Sequence, residues 1–343
     1  MDEPDIHILS VGTALPGAPV DNATLADRFN MPSVWELWID SFIGTRTRHF
    51  ALDLETGTIR YSLADLGGTA AAKALQEAGL RASDVDLMVL GTASPDMLMP
   101  ATVNLIADRL GIDDVPTFQL QSGCSGAVQA LDVAHKMLLS GRYRNALVLG
   151  AENCAKHIDL STDAASLPTS EQVNGVLFGD GAGAVVLSTE PRPGTAVLRH
   201  VFLRLVGLGR EPGQTVEWFG RGDRDSGRQP ISEDYKAIEQ SVPSMAAETL
   251  EELLEALDWK ETDIDYLLPP QLSGTMTEKI TERLDVPSAQ EISCVVDIGN
   301  TGNALPFFQL ERALPRMTTG DRTVGIAIES SKWIKAGFAL EVC

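Results

Sequence analysis

LGGTAAAKALQEAGLRASDVDLMVLGTAS, residues 66–94, and MAAETLEELLEALDWKETDIDYLLPPQLS, residues 245–273, are two versions of one pattern. In each, a stretch with apolar residues at helical spacing ends, and a Ser or Thr (Ser83, Thr262) stands in N-cap position. An Asp-x-Asp pair follows (Asp84/Asp86, Asp263/Asp265), then a run that reads as a buried strand, Leu87–Leu90 or Tyr266–Leu268. The second Asp of each pair is offset by 265 − 86 = 179 residues. The same offset separates GRYRNALVLGAE at Gly141 from GDRTVGIAIES at Gly320, both basic turns leading into an apolar strand that closes on a glutamate, Glu152 or Glu329. A second apolar strand ends each half, Ala182–Leu187 and Ala336–Val342. Helix–strand alternation repeated in register predicts an α/β protein of two similar halves, residues 1–190 and 191–343, whose sheets pack around shared helices.

The duplication directs attention to two glycine-rich helix starts. QSGCSGA, residues 121–127, lies between an apolar approach (Val115–Leu120) and a helical stretch (Val128–Leu139), and adding 179 to Cys124 gives Asn303 within GNTGNALPFFQL. The two segments are expected to meet near the centre as symmetry mates. A helix start offers unpaired N–H groups and the positive end of a dipole, which favour thiolate and make Cys124 a candidate nucleophile. The competing reading is an inert core thiol, the commoner fate of a free cysteine.

Composition narrows the classes. The 343 residues suffice for two core-forming units, and 44% hydrophobic content is that of an ordinary globular protein. Asp2, Glu3 and Asp5 give no basic start for a signal peptide, and no apolar run approaches the ~20 residues of a spanning helix. Four cysteines without a CxxC read as reduced thiols, so a cytoplasmic protein is expected. A net charge of −21 argues against nucleic acid and anionic membrane as partners.

With these features placed, the chain resembles the thiolase-fold ketosynthases, specifically the ketoacyl-ACP synthase III type and its acyltransferase relatives. The resemblance rests on QSGCSGA, on VNGVLFGDGAGAVVLS (Val173–Ser188), on DIGNTGNA (Asp297–Ala304) and on WIDSFIGTRTRHF (Trp38–Phe50). It implies a duplicated α-β-α-β-α layered fold, a homodimer, no cofactor and no metal, and acylation of Cys124 by a thioester donor before an acceptor takes the acyl group.

The departures from that family shape the functional expectation. Condensing members carry a His in a Pro-His-Gln-like string, which with an Asn stabilises the enolate formed by decarboxylation. Here the string is Leu268-Pro269-Pro270-Gln271, and the five histidines are His7, His49, His135, His157 and His200. Proline offers neither a side-chain donor nor a backbone N–H. The family Asn is matched by Asn300. At the last strand turn, where the family has glycines, the chain reads Glu329-Ser330-Ser331-Lys332. The N–H groups of Cys124 and of Ser330 or Ser331 remain candidates for an oxyanion hole, and Glu329 becomes a candidate general base. The plainer reading of Glu329 is a capping or ion-paired side chain.

Trp38 matches a Trp that clamps adenine in CoA-using members, but the Arg expected four residues later is Phe42. Arg46 and Arg48 stand nearby as phosphate candidates, so the donor is either acyl-CoA or an acyl carrier protein. His157 is the one histidine considered for the site, in a polar stretch (152–172) read as a loop beside the acyl pocket. Arg142, Arg144 and the Arg221–Arg228 stretch are the other basic concentrations, the last reading as a solvated loop. Three readings follow. The first is acyl transfer to a hydroxyl or amine of a small metabolite, in a natural-product (antibiotic-type) pathway. The second is decarboxylative condensation, and the third a catalytically silent acyl-carrier binder. Pro270 argues against the second, Cys124 against the third.

Overall fold

The computed structural model describes residues 4–158, 160, 164–218 and 231–343. Ten strands form one mixed sheet. The first five are β1 (His7–Ala14), β2 (Leu87–Thr92), β3 (Thr117–Gln121), β4 (Asn145–Glu152) and β5 (Gly181–Ser188). The second five are β6 (Ala196–Leu205), β7 (Tyr266–Leu268), β8 (Gln290–Glu291), β9 (Arg322–Glu329) and β10 (Ile334–Val342). Their spatial order is β8-β7-β9-β10-β6-β1-β5-β4-β2-β3, so each strand of the first half mirrors the strand five later. Strand sense obeys the same symmetry. β1–β5 and β5–β4 are antiparallel while β4–β2 and β2–β3 are parallel. β6–β10 and β10–β9 are antiparallel while β9–β7 and β7–β8 are parallel. Within the sheet, the two halves pair where His7 and Ile8 face Val197 and Ala196.

Six helices repeat likewise: α1 (Leu63–Ala78), α2 (Thr102–Leu110) and α3 (Gly126–Leu139), then α4 (Tyr235–Leu257), α5 (Gly274–Leu284) and α6 (Leu305–Ala313). The starts of α3 and α6 are 305 − 126 = 179 residues apart. Three apolar cores separate the layers. One holds α1 and α2 against the first half's strands, and one holds α4 and α5 against the second half's. The third encloses α3 (Ala127, Val128, Leu131, Ala134, Leu138) and α6 (Phe307, Leu310) between strands of both halves. This is the thiolase-like α-β-α-β-α arrangement. A helix in the middle layer must be apolar on most sides, which these sequences satisfy.

The Asp-x-Asp pairs have a clear structural use, and it corrects the capping expectation. Ser83 and Thr262 are not α-helix N-caps; each sits inside a short 3-10 turn, Ala82–Asp84 or Glu261–Asp263. Asp84 and Asp263 close those turns by accepting from the N–H of Arg81 and Lys260. Asp86 accepts from the N–H of Arg144 and Asn145, and Asp265 from that of Arg322, fixing each parallel strand pair at its start. A carboxylate bonded to the turn leaves no free hydroxyl cap to be needed. The stretch 152–172 is likewise less of a loop than expected. It contains a 3-10 turn at Cys154–His157, another at Ala164–Ser166, and the start of a helix at Thr169–Leu177. Pro168 sits at that helix's N-cap, where a missing N–H costs nothing. Among the described residues, no helix is long and apolar enough to cross a membrane. The Arg221–Arg228 stretch lies outside the described residues.

Candidate active site

The site assembles at the carboxyl ends of β3, β4, β7 and β9, the end where open α/β sheets commonly place chemistry. β3 runs into Ser122-Gly123-Cys124-Ser125, and α3 begins at Gly126. Glycines let this turn press against both halves. A Cβ on Gly126 would lie 2.5 Å from Asn303 Oδ1, and one on Gly150 would lie 2.1 Å from the Asn303 carbonyl oxygen. Asn303 is thus in contact with the cysteine loop, as the 179-residue offset predicts. Its Oδ1 accepts from the Ala127 N–H at 2.9 Å, and its Nδ2 donates to the Ser122 carbonyl (2.9 Å) and to Glu152 (2.5 Å).

Two buried glutamates flank this turn. Glu152, 3% exposed, also accepts from the Ala93 N–H at 2.9 Å and from the Ser94 hydroxyl. Burial pushes its carboxyl up to about 7, against the hydrogen bonds that pull it down. Glu329, 4% exposed, accepts from the hydroxyls of Ser122 (2.8 Å) and Ser125 (2.5 Å) on one oxygen and Ser331 on the other. A Cβ on Gly123 would sit 3.2 Å from the Glu329 carboxyl carbon, so a side chain there would push the acid back by a few tenths of an ångström. Among the described residues Glu329 makes no ion pair, and it does serve the helix start, accepting from the N–H of the N-cap residue Ser125 at 3.4 Å.

Cys124 is half-buried and unpaired. Its environment reverses the expectation of a stabilised thiolate: burial first, then the charges of Glu329, Glu152 and Glu233, push the thiol up to about 12. The helix start lies two residues further on, and three acidic neighbours in a poorly hydrated site outweigh its dipole. Burial and these carboxyls therefore hold Cys124 as a thiol at neutral pH.

The pocket at Cys124 is walled by Phe178, Pro270, Asn300, Leu305, Gln309 and Ser330, among others. Pro270 stands on this wall, and among the described residues that line the pocket there is no histidine. Asn300 is 1% exposed; its Oδ1 accepts from the Gly302 N–H at 2.9 Å, while its Nδ2 has no partner. A buried donor left bare on a pocket wall is available to a substrate carbonyl. Ser330 reaches the pocket, whereas the Ser331 hydroxyl is spent on Glu329. Gln271, next to Pro270, is structural: its Oε1 accepts from the N–H of Cys294 and Val295.

The donor-side residues gather elsewhere. Trp38 ends a short helix, Val34–Trp38, half-buried against the cluster that includes Trp35 and Val176. Phe42 follows in a π-helical turn, 67% exposed, its carbonyl accepting from Thr275. Arg46 is exposed and paired with Asp297 at 3.1 Å. Arg48 cannot serve as a phosphate ligand: it is fully buried and donates to the Val176 carbonyl and to Asn22. His157 is not among the described pocket-lining residues; its Nε2 has no partner, and burial and Lys156 hold its ring down to about 4, hence neutral. Arg144 is exposed and near Glu190 at 3.6 Å. Among the described residues no group of His, Cys, Asp or Glu is placed to hold a metal ion.

One part of the site has no counterpart in the sequence reading. Gln214, on a short hairpin, lines the pocket, with Glu233 behind it. Three-residue strands carry too little alternation to be recognised, and no motif marks these side chains.

Comparison with known proteins gives a consistent result. Residues 118–203 match the profile of 3-oxoacyl-[acyl-carrier-protein] synthase III, and residues 254–330 match the C-terminal profile of the same family. A β-ketoacyl-[acyl-carrier-protein] synthase III of Neisseria meningitidis is 32% identical over 302 residues, covering 87% of this chain and 86% of its own. Among solved structures, the tetronic acid condensing enzyme AbyA1 is 59% identical with a TM-score of 0.95, covering 98% of this chain and 99% of its own. The 3-oxoacyl-(acyl carrier protein) synthase III of Pseudomonas aeruginosa is 26% identical with a TM-score of 0.83, covering 98% of both.

Proposed function

The chain belongs to the 3-oxoacyl-(acyl carrier protein) synthase III family, and we propose that it transfers an acyl group from Cys124 to an acceptor hydroxyl without decarboxylation. The observation that carries this reading is the pocket wall itself: Cys124 faces a site with Pro270 and the bare Asn300 amide, and no lining histidine among the described residues. Losing a hydrogen bond to a developing oxyanion typically costs about 3–4 kcal/mol of barrier, a 100- to 1000-fold penalty on decarboxylative condensation. Acyl transfer needs only a nucleophile, an oxyanion site and a base. In this proposal the N–H groups of Cys124 and Ser330 form the oxyanion hole. Asn300 holds the thioester carbonyl, and Glu329 takes the acceptor's proton.

The 59% likeness to a tetronic acid condensing enzyme supports a specific form of this reaction. A tetronic acid ring holds one ester C–O bond and one new C–C bond. Two acyl thioesters supply both when the acyl group on cysteine is β-keto and the acceptor is a 2-hydroxyacyl thioester. The hydroxyl oxygen attacks the acyl-cysteine, its proton ends on the departing sulfur, and an ester forms. The carbon between the two carbonyls then loses a proton and attacks the acceptor thioester, expelling its thiol. That carbon is acidic because two carbonyls flank it, so no carbon dioxide need leave and no histidine is required. A hydroxyl acceptor is thus favoured over an amine, and the C–C bond joins the reading without decarboxylation.

The donor in this proposal is a carrier-protein thioester, since Arg46 is paired with Asp297 and Arg48 is buried. CoA is the second choice, with Trp38 and Phe42 on its side. A homodimer of chains with halves 1–190 and 191–343 is proposed as well: β3 is paired on one side only, and Met99 nearby in sequence is 86% exposed. The test uses the acetoacetyl and glycoloyl thioesters of N-acetylcysteamine with intact-protein mass spectrometry. Acetoacetyl should appear on the wild type and on Cys154→Ala, Cys294→Ala and Cys343→Ala, but not on Cys124→Ala. Glycoloyl thioester should then discharge it as 3-acetyltetronic acid. An adduct persisting on Cys124→Ala would overturn the reading.

A further inference from the structure

Opposite the cysteine loop, the hairpin of Gln214–Val216 and Ile231–Glu233 pairs Gln214 directly with Glu233. It is anchored to the end of β9: the Gly213 N–H donates to the Ser330 carbonyl at 3.0 Å, and the Asp234 N–H to the Gly213 carbonyl at 2.8 Å. Gln214 therefore has a fixed place on the pocket wall that also holds Cys124, Pro270 and Asn300. Its Nε2 donates to one oxygen of Glu233. The carboxyl of Glu233 is buried together with the hydroxyl of Tyr235, which interacts with it.

The Gln214 amide nitrogen is turned to Glu233, whose Oε1 accepts from it. The amide oxygen is the end left for the pocket, and an amide oxygen selects a donor. We propose that Gln214 binds the acceptor's hydroxyl through its amide oxygen as the acceptor arrives, before the O–H turns to pass its proton to Glu329, and that Glu233 is the positioning residue that holds the amide in this sense. Such a pair discriminates: a hydroxyl is accepted, while an acceptor offering only a carbonyl or an ether meets an oxygen facing an oxygen. Rejection of this kind is strong because a buried polar group would be left unpaired. The Cys124 acylation step does not involve this group. The inference rests on the acyl-transfer reading above and names the residue that reads its acceptor.

The experiment follows Gln214→Leu, Glu233→Leu and Glu233→Gln through both half-reactions, with the acetoacetyl thioester as donor and the glycoloyl thioester as acceptor. Gln214→Leu should acylate Cys124 at the wild-type rate, which also shows that it folds. Its acceptor KM should rise about tenfold or more, the worth of one hydrogen bond. Glu233→Leu should raise the same KM by a smaller factor. Glu233→Gln, which can still accept from Nε2, should restore much of the loss. Wild-type acceptor KM in Gln214→Leu would overturn the proposal. Joint loss of acylation and transfer in that variant would also overturn it, by giving Gln214 a purely structural role. A wild-type enzyme that never forms the Cys124 adduct would instead refute the acyl-transfer reading.

Discussion

Glu152 and Glu329 end equivalent strands in the two halves, are equally buried, and have become different groups. Glu152 is bonded to the Ala93 N–H, to the Ser94 hydroxyl and to Asn303 of the other half, so it ties the halves together beneath the cysteine loop. Glu329 is bonded to the serines of the cysteine loop itself and weighs most among the charges on the Cys124 thiol. Duplication thus supplied two acids at one spot. What each does is decided by its partners: the Asn303 amide that links Glu152 to the other half makes a strut, and three hydroxyls around Glu329, two of them on the cysteine loop, make a candidate for proton transfer.

The largest expected effect separates the two by chemistry. Glu329→Gln should slow discharge of acyl-Cys124 to the hydroxyl acceptor by about 100-fold or more, the range for a lost general base, while acylation stays within a few fold. Glu152→Gln should leave both half-reactions within about threefold. Single-turnover mass spectrometry on preloaded enzyme measures this, and equal effects from the two variants would erase the distinction.

Stability sharpens the comparison from the other side. Glu152 is raised from 4.5 to about 7, so the folded chain keeps a proton there that the unfolded chain has released. Stability from this group is full below pH 4.5 and is lost as pH rises through 7. Glu233, also near 7, and Asp180, raised to about 6, act in the same direction. Urea midpoints should therefore fall between pH 5 and 8, and Glu152→Gln should flatten that fall by roughly 1–3 kcal/mol. A fall of unchanged steepness in the variant would remove Glu152 from the account.

The smallest effect concerns the thiol. With its proton held to about 12, Cys124 should react with iodoacetamide about tenfold faster for each pH unit from 7 to 10, without levelling near 8.5. Removing charge at Glu329 should speed the reaction at pH 8 more than removing it at Glu152. A plateau below pH 9 would show an activated thiolate and reverse the electrostatic reading.

Part of this was legible from residues alone, because duplication writes itself as an offset. The 179-residue spacing placed Asn303 against the cysteine loop, while the family resemblance, not any spacing, pointed to Asn300 and Ser330 beside Cys124. Local chemistry was less legible. Helix-start logic misjudged the thiol because Glu152, Glu233 and Glu329 come from segments 28 to 205 residues from Cys124, and only the fold sums their charges. Arg48 looked available because no sequence pattern shows that the Val176 carbonyl and Asn22 surround it. Gln214 and Glu233 escaped notice altogether, since a hairpin of three-residue strands has no period to read.

One measurement bears most directly on the central claim. Enzyme carrying acetoacetyl on Cys124 is divided between a carboxyl-labelled malonyl-carrier-protein thioester and the glycoloyl thioester. The account predicts labelled carbon dioxide no higher than from Cys124→Ala in the first sample, and discharge of the acyl group as 3-acetyltetronic acid in the second. Cys124-dependent release of labelled carbon dioxide, with a chain-extended β-ketoacyl product, would contradict it.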